Sequence, residues 1–124
     1  MSLVLIVEDN EKNMKLARDI LKAKGHETLE AVTGEEGVKL AKEKKPDLVL
    51  MDIQLPGISG IEAFKQLRAD AKTARIPVIA LTASVTPTDR SQISAAGFDA
   101  FVSKPISLKE FVETVQRLLE GAQK

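Results

Sequence analysis

The chain has no cysteine, tryptophan or tyrosine, and one histidine among 124 residues. Without thiols there is no disulfide framework, no thiolate nucleophile and no cysteine-based zinc or iron–sulfur site. An excess of charge of either sign is missing too: 18 Lys and Arg balance 18 Asp and Glu. They are interspersed along the chain, so the basic stripe of a nucleic-acid binder is absent and no nucleic-acid partner is expected. Long apolar runs are lacking as well. Stretches such as residues 3–7 and 48–51 fall far short of the roughly 20 residues that span a bilayer. The chain does not open with a basic and then apolar signal segment. A cytoplasmic protein with no membrane association is expected, of a size that supports one core and one domain over residues 1–124.

Short apolar runs rich in branched residues alternate with helical patterns, the mark of an α/β domain built on a parallel sheet. Five rounds are countable, with strands expected at 3–7, 27–32, 47–51, 77–81 and 99–102. Four are apolar enough to be central. The second alternates Thr28 and Glu30 with Leu29 and Ala31 and reads as half-exposed, nearer an edge. Asn10, Thr33, Ser59, Thr86 and Ser107 are each placed to cap a helix, with Glu62 and Glu110 completing capping boxes. Pro87, just after Thr86, suits a first helical position. Leu108, Phe111, Val112, Val115, Leu118 and Leu119 have the spacing of one buried helical face. Gly25 and Gly97 follow helical runs, where positive φ is often needed. Repeats and low-complexity stretches are absent, and because the chain stops soon after the last apolar helix position, no effector domain is expected.

Ligands of open α/β sheets bind beyond the carboxyl ends of the strands. There the sequence places Glu8 and Asp9 after the first strand, Asp52 after the third, Thr82 after the fourth and Lys104 after the fifth. Three acids alone would repel and take up protons, whereas a divalent cation and a lysine keep them ionised. An oxygen-only set favours Mg²⁺ or Mn²⁺ over zinc, and Mg²⁺ shares phosphate oxygens. Phosphoryl transfer then needs a nucleophile, charge neutralisation and positioning. Asp52 is the candidate carboxylate nucleophile, Asp9 the direct metal ligand and Glu8 a ligand through water. Lys104 would neutralise one phosphoryl oxygen, and the Thr82 hydroxyl would bond another.

The runs Leu5-Ile6-Val7-Glu8-Asp9-Asn10, Leu50-Met51-Asp52-Ile53-Gln54-Leu55-Pro56-Gly57, Leu81-Thr82-Ala83 and Ser103-Lys104-Pro105 resemble the receiver domains of two-component response regulators, over the whole chain. The resemblance implies a flavodoxin-like (CheY-like), doubly wound sheet of five parallel strands in order 2-1-3-4-5, flanked by five helices. It implies Asp52 as phosphoacceptor and metal ligation by Asp9, Asp52 and the main-chain carbonyl of Gln54. It further implies phosphoryl contacts from Thr82, Ala83 and Lys104, a switch pair of Thr82 and Phe101, and a turn at Pro105 after a cis bond. Many receivers carry tyrosine at the position of Phe101. The phosphoryl donor would be a histidine kinase or a histidine phosphotransfer protein, and the output a downstream signalling protein or kinase. Because the opening Met1-Ser2-Leu3 need not be native, a receiver taken from a larger regulator or hybrid kinase remains an alternative.

Each residue also has a plain reading. A lone aspartate at a strand end is ordinarily a turn or cap residue, Lys104 a solvated lysine and Phe101 a core aromatic. Met14 and Met51 read as packing residues, and His26 as a surface residue away from the rim. Five positions in order outweigh these for the rim. The enzyme-class rival is a Mg-dependent aspartyl phosphohydrolase of the haloacid-dehalogenase type, which needs an acid two residues after its nucleophile. Gln54 stands there and cannot exchange a proton at neutral pH. A flavin binder lacks both the phosphate loop and the stacking rings, and a receiver used only as an interaction module would not need the full acidic set.

Overall fold

Branched and apolar side chains on both faces make the third and fourth strands good only for a sheet covered on two sides, and the chain folds accordingly. The computed structural model describes residues 2–55, 57–82, 87–104 and 106–122. The elements are β1 (Leu3–Val7), α1 (Glu11–Ala23), β2 (Glu27–Ala31), α2 (Gly34–Lys44), β3 (Leu48–Asp52), α3 (Gly60–Ala69), β4 (Val78–Thr82), α4 (Pro87–Ala96), β5 (Ala100–Ser103) and α5 (Leu108–Ala122). All strand pairs are parallel and the order is β2-β1-β3-β4-β5.

Alternation along β1 sorts the core into two layers. Val4 and Ile6 join Leu48, Leu50, Ile79 and Leu81 under α1 and α5. Leu5 and Val7 join Val49, Met51 and Val78 under α2 and α3. Fully burying each such side chain contributes roughly 1.5–3 kcal/mol, and the covering faces follow the helical period: Met14, Ala17, Ile20 and Leu21 on α1, Ala63, Phe64 and Leu67 on α3. Helix starts are fixed where expected. Asn10 accepts from the amides of Lys12 and Asn13, Thr33 from Glu36 and Ser59 from Glu62. Pro87 opens α4, while Thr86 lies outside the described residues. Gly25 and Gly97 both have positive φ.

β5 lies at the edge, where the order implied by the resemblance puts it, with only β4 beside it although its run is apolar. Two sequence expectations change. Leu108 is 61% exposed: it opens α5 one turn before Phe111 reaches the sheet. His26 is half-buried just ahead of β2, where a groove of about 440 Å³ runs between α1 and α5, and its Nδ1 is buried with no hydrogen-bond partner among the described residues. Burial lowers its pKa below the ordinary 6.5. The groove opens at the amino ends of the strands, away from the acids.

Candidate functional site at the carboxyl rim

β1 and β3 are adjacent central strands, with Val7 in register with Met51. Their ends therefore bring Glu8, Asp9 and Asp52 to one place, where a carboxylate oxygen from each lies within 4.8 Å of the others. Glu8 and Asp52 are 1% and 3% exposed, and Asp9 is exposed. β5 adds Lys104 from the far side. The Lys104 amide donates to the Thr82 carbonyl at 2.8 Å, carrying the pairing of β4 and β5 one residue past Ser103. Its ammonium then reaches back to Asp52 Oδ2 at 2.8 Å and to Glu8 Oε1 and Oε2 at 3.1 and 3.0 Å.

Desolvation, with Asp52 as neighbour, raises the pKa of Glu8, and the Lys104 bonds only partly offset that. Desolvation also works against the charged form of Lys104, but its bonds to Asp52 and Glu8 outweigh it and its pKa stands above the ordinary lysine value. One ammonium among three carboxylates leaves a deficit of positive charge in a site largely closed to water. A hard divalent cation with oxygen ligands fits that deficit.

The strand ends are held stiffly. The Gln54 amide donates to Asp52 Oδ1 at 3.0 Å, the Ile53 amide to the Leu81 carbonyl at 3.0 Å and the Gly60 amide to the Ile53 carbonyl at 3.0 Å. Thr82 is buried at the end of β4, next to Leu81, the register partner of Asp52. Phe101 is half-buried on β5 opposite Ala80 and is not part of the acidic cluster. Ala83, Pro56 and Pro105 lie outside the described residues.

Two contributors were not foreseen. Asn13 Nδ2 donates to Glu8 Oε1 at 3.2 Å, fixing a buried carboxylate from the first turns of α1; its signal was its place three residues after the Asn10 cap. Gly60 is the other. A Cβ there would collide with the Asp52 carbonyl oxygen and stand 2.8 Å from Ile53 Cα, so only glycine lets α3 start so close to the end of β3.

Comparison with known proteins agrees with this geometry. Residues 4–116 match the family model of the response regulator receiver domain. The chain is 50% identical to the polar-differentiation response regulator DivK of Brucella anthropi, over 96% of this chain and 97% of that one, and equally similar to DivK of Brucella abortus. Among solved structures, the receiver domain of the sensor histidine kinase PA1611 of Pseudomonas aeruginosa, with a magnesium ion coordinated in its active-site cleft, superposes with a TM-score of 0.90. It is 31% identical, over 96% of this chain and 98% of that one. The chemotaxis protein CheY4 of Vibrio cholerae superposes with a TM-score of 0.88 at 25% identity, over 95% and 98% of the two chains.

Proposed function

The chain belongs to the response regulator receiver domain family and is a two-component response regulator; from that premise we propose that Asp52 is its phosphoacceptor and that residues 1–124 act as one receiver domain. The observation that carries this reading is the Asp52 carboxylate itself: closed off at the end of a central strand, 2.8 Å from an ammonium and among two further acids.

In the proposed reaction an Asp52 oxygen forms a bond to phosphorus while the P–N bond of a donor phosphohistidine breaks and the imidazole leaves with the electron pair. The donor is a histidine kinase or a histidine phosphotransfer protein. Asp9, Asp52 and the Gln54 carbonyl would hold Mg²⁺, with Mn²⁺ as a substitute and Glu8 acting through water. Bound there, the cation supplies neutralisation of phosphoryl charge. Lys104 would neutralise a second phosphoryl oxygen and the Thr82 hydroxyl would contact another; the phosphoryl contact of the Ala83 amide and the turn at Pro105 are carried over from the resemblance alone.

Gln54 follows Asp52 by two residues, and its main-chain amide is committed to Asp52 Oδ1. Its side-chain amide neither gives up nor takes a proton near neutral pH, so the chain is read as a regulator that is not an enzyme, assisting its own phosphorylation and dephosphorylation without the turnover of a general hydrolase. The product is a regulator whose output passes to a downstream signalling protein or kinase. Among the described residues no helix is long and apolar enough to cross a bilayer.

Intact-mass measurement after incubation with acetyl phosphate and Mg²⁺ tests the reading. One added phosphoryl group is expected, and Asp52→Asn should carry none. Undiminished label in that variant, or continuing hydrolysis of the donor at enzyme-like rates, would refute it.

A further inference from the structure

The 53–59 segment that carries Gln54 is fixed at its ends by β3, β4 and α3, through the Ile53, Gln54 and Gly60 amide bonds. Its middle rests on a different element. Glu35, in the first turn of α2, accepts from the Ile58 amide at 3.4 Å. Its carboxylate lies against the backbone of Gly57, where a Cβ would stand 2.5 and 2.6 Å from the two oxygens. Gly57 has φ of 76°, so it is both turned and pressed by that carboxylate. One residue earlier on α2, a Cβ at Gly34 would stand 2.7 Å from Ile58 Cγ1 and 3.0 Å from the Ile58 carbonyl oxygen. Helix α2 thus seats the 57–58 turn with a missing side chain at Gly34 and a carboxylate at Glu35.

We propose that Glu35 is a positioning residue, which holds the 57–58 turn against α2 and so sets where the Gln54 carbonyl stands relative to Asp9 and Asp52. Only two residues, Leu55 and Pro56, separate Gln54 from Gly57, a reach too short for one to move far while the other stays. The inference rests on the reading of Asp9, Asp52 and the Gln54 carbonyl as metal ligands. Outer partners that orient ligands commonly affect metal affinity strongly. A single long hydrogen bond on an exposed carboxylate belongs at the weak end of that range.

The test is Mg²⁺ titration of the whole chain followed by backbone amide NMR shifts, with hydrogen exchange of the Ile58 amide in the same samples. Glu35→Ala should weaken Mg²⁺ binding by about two- to tenfold, the worth of one net hydrogen bond, and speed Ile58 exchange. Glu35→Gln keeps an oxygen acceptor and should recover most of both. Equal weakening in the two variants would make the effect one of charge and overturn the proposal. Gly34→Ala, which leaves Glu35 in place but pushes Ile58 off the helix, should weaken Mg²⁺ binding in the same range, and an unchanged midpoint there also overturns it. Asp9→Asn separates the two levels. If it abolishes binding while Glu35→Ala binds as the unaltered chain does, the seating on α2 is wrong and the metal site stands. If Asp9→Asn binds normally, or the unaltered chain does not bind Mg²⁺, both fall.

Discussion

Lys104 and Glu8 meet across 96 positions of the chain, with Nζ 3.0 Å from an oxygen of a carboxylate that is 1% exposed. The same ammonium pairs with Asp52, so one cation compensates two buried acids. Removing a partner from such a pair leaves charge uncompensated in a site of low polarity.

Lys104→Met should therefore destabilise the protein by roughly 3 kcal/mol in the presence of a chelator, with Mg²⁺ restoring a large part. The unaltered chain should gain less from Mg²⁺ because its own ammonium already occupies the acids. Denaturant unfolding of both proteins with and without Mg²⁺ reads the difference. An equal Mg²⁺ increment would show that Lys104 and the cation do not share the same carboxylates.

A second expectation concerns Gly60. The Cβ of Gly60→Ala would have to displace the Asp52 carbonyl or the start of α3. Forced insertions of this kind cost typically about 1–3 kcal/mol. Because the displaced group is the Asp52 backbone, phosphorylation by acetyl phosphate should fall more than stability does. A variant that is destabilised yet labelled at the unaltered rate would mean that α3 alone absorbs the shift.

These contacts mark where sequence reading stops. Strand positions came through to within about a residue because alternation and apolar runs report the two faces of a sheet. That the rim acids and Lys104 lie together was legible because each stands at the end of a strand or within two residues of it. The edge position of β5 came from the resemblance and not from its composition, because a run of apolar residues reports what covers a strand's faces, not how many strands lie beside it. The close approach of Gly60 to Asp52 is a backbone contact between elements, to which local pattern is blind. Lys45 ends α2 at φ of 46°, a conformation that would ordinarily call for glycine. The bond from Asn13 to Glu8 joins a helix turn to a strand end, and its one local signal is the spacing of Asn13 from the Asn10 cap.

The half-buried His26 gives a pH signature. Its folded pKa lies below the ordinary 6.5, desolvation being the main cause. A base depressed on folding binds fewer protons folded than unfolded, so its contribution is intact above 6.5 and is lost as pH falls through the lower folded value. Between about pH 7 and about pH 5, the unaltered chain should lose stability relative to His26→Phe. At neutral pH that variant should be at least as stable, since it removes a buried nitrogen without a partner among the described residues at a saving of roughly 1 kcal/mol. Unfolding midpoints that stay parallel over the whole range would show that His26 does not titrate in this window.

The last prediction follows the phosphoryl group outward. Asp52 pairs in register with Leu81, Thr82 follows it at the end of β4, and β4 pairs with β5, which carries Phe101 opposite Ala80. Charge added at Asp52 should draw the Thr82 hydroxyl toward it, and β4 is the direct route by which that movement reaches β5. Phe101 borders a groove with Ile93, Phe98 and Arg117, between α4, β5 and α5, so a turn of its ring would change that face. Lys109 lines a second groove that shares Arg117 with this one; the side chains of Arg90 and Gln92 are outside the described residues. A coupling of about 1–3 kcal/mol would shift partner affinity about 5- to 150-fold. Backbone NMR shifts with beryllofluoride and Mg²⁺ should then extend from the rim to Ile93, Phe101 and Arg117, and Thr82→Val should confine them to the rim. Shifts that reach those residues undiminished in Thr82→Val would mean that the signal travels by another path, such as the Lys104 backbone bond to Thr82.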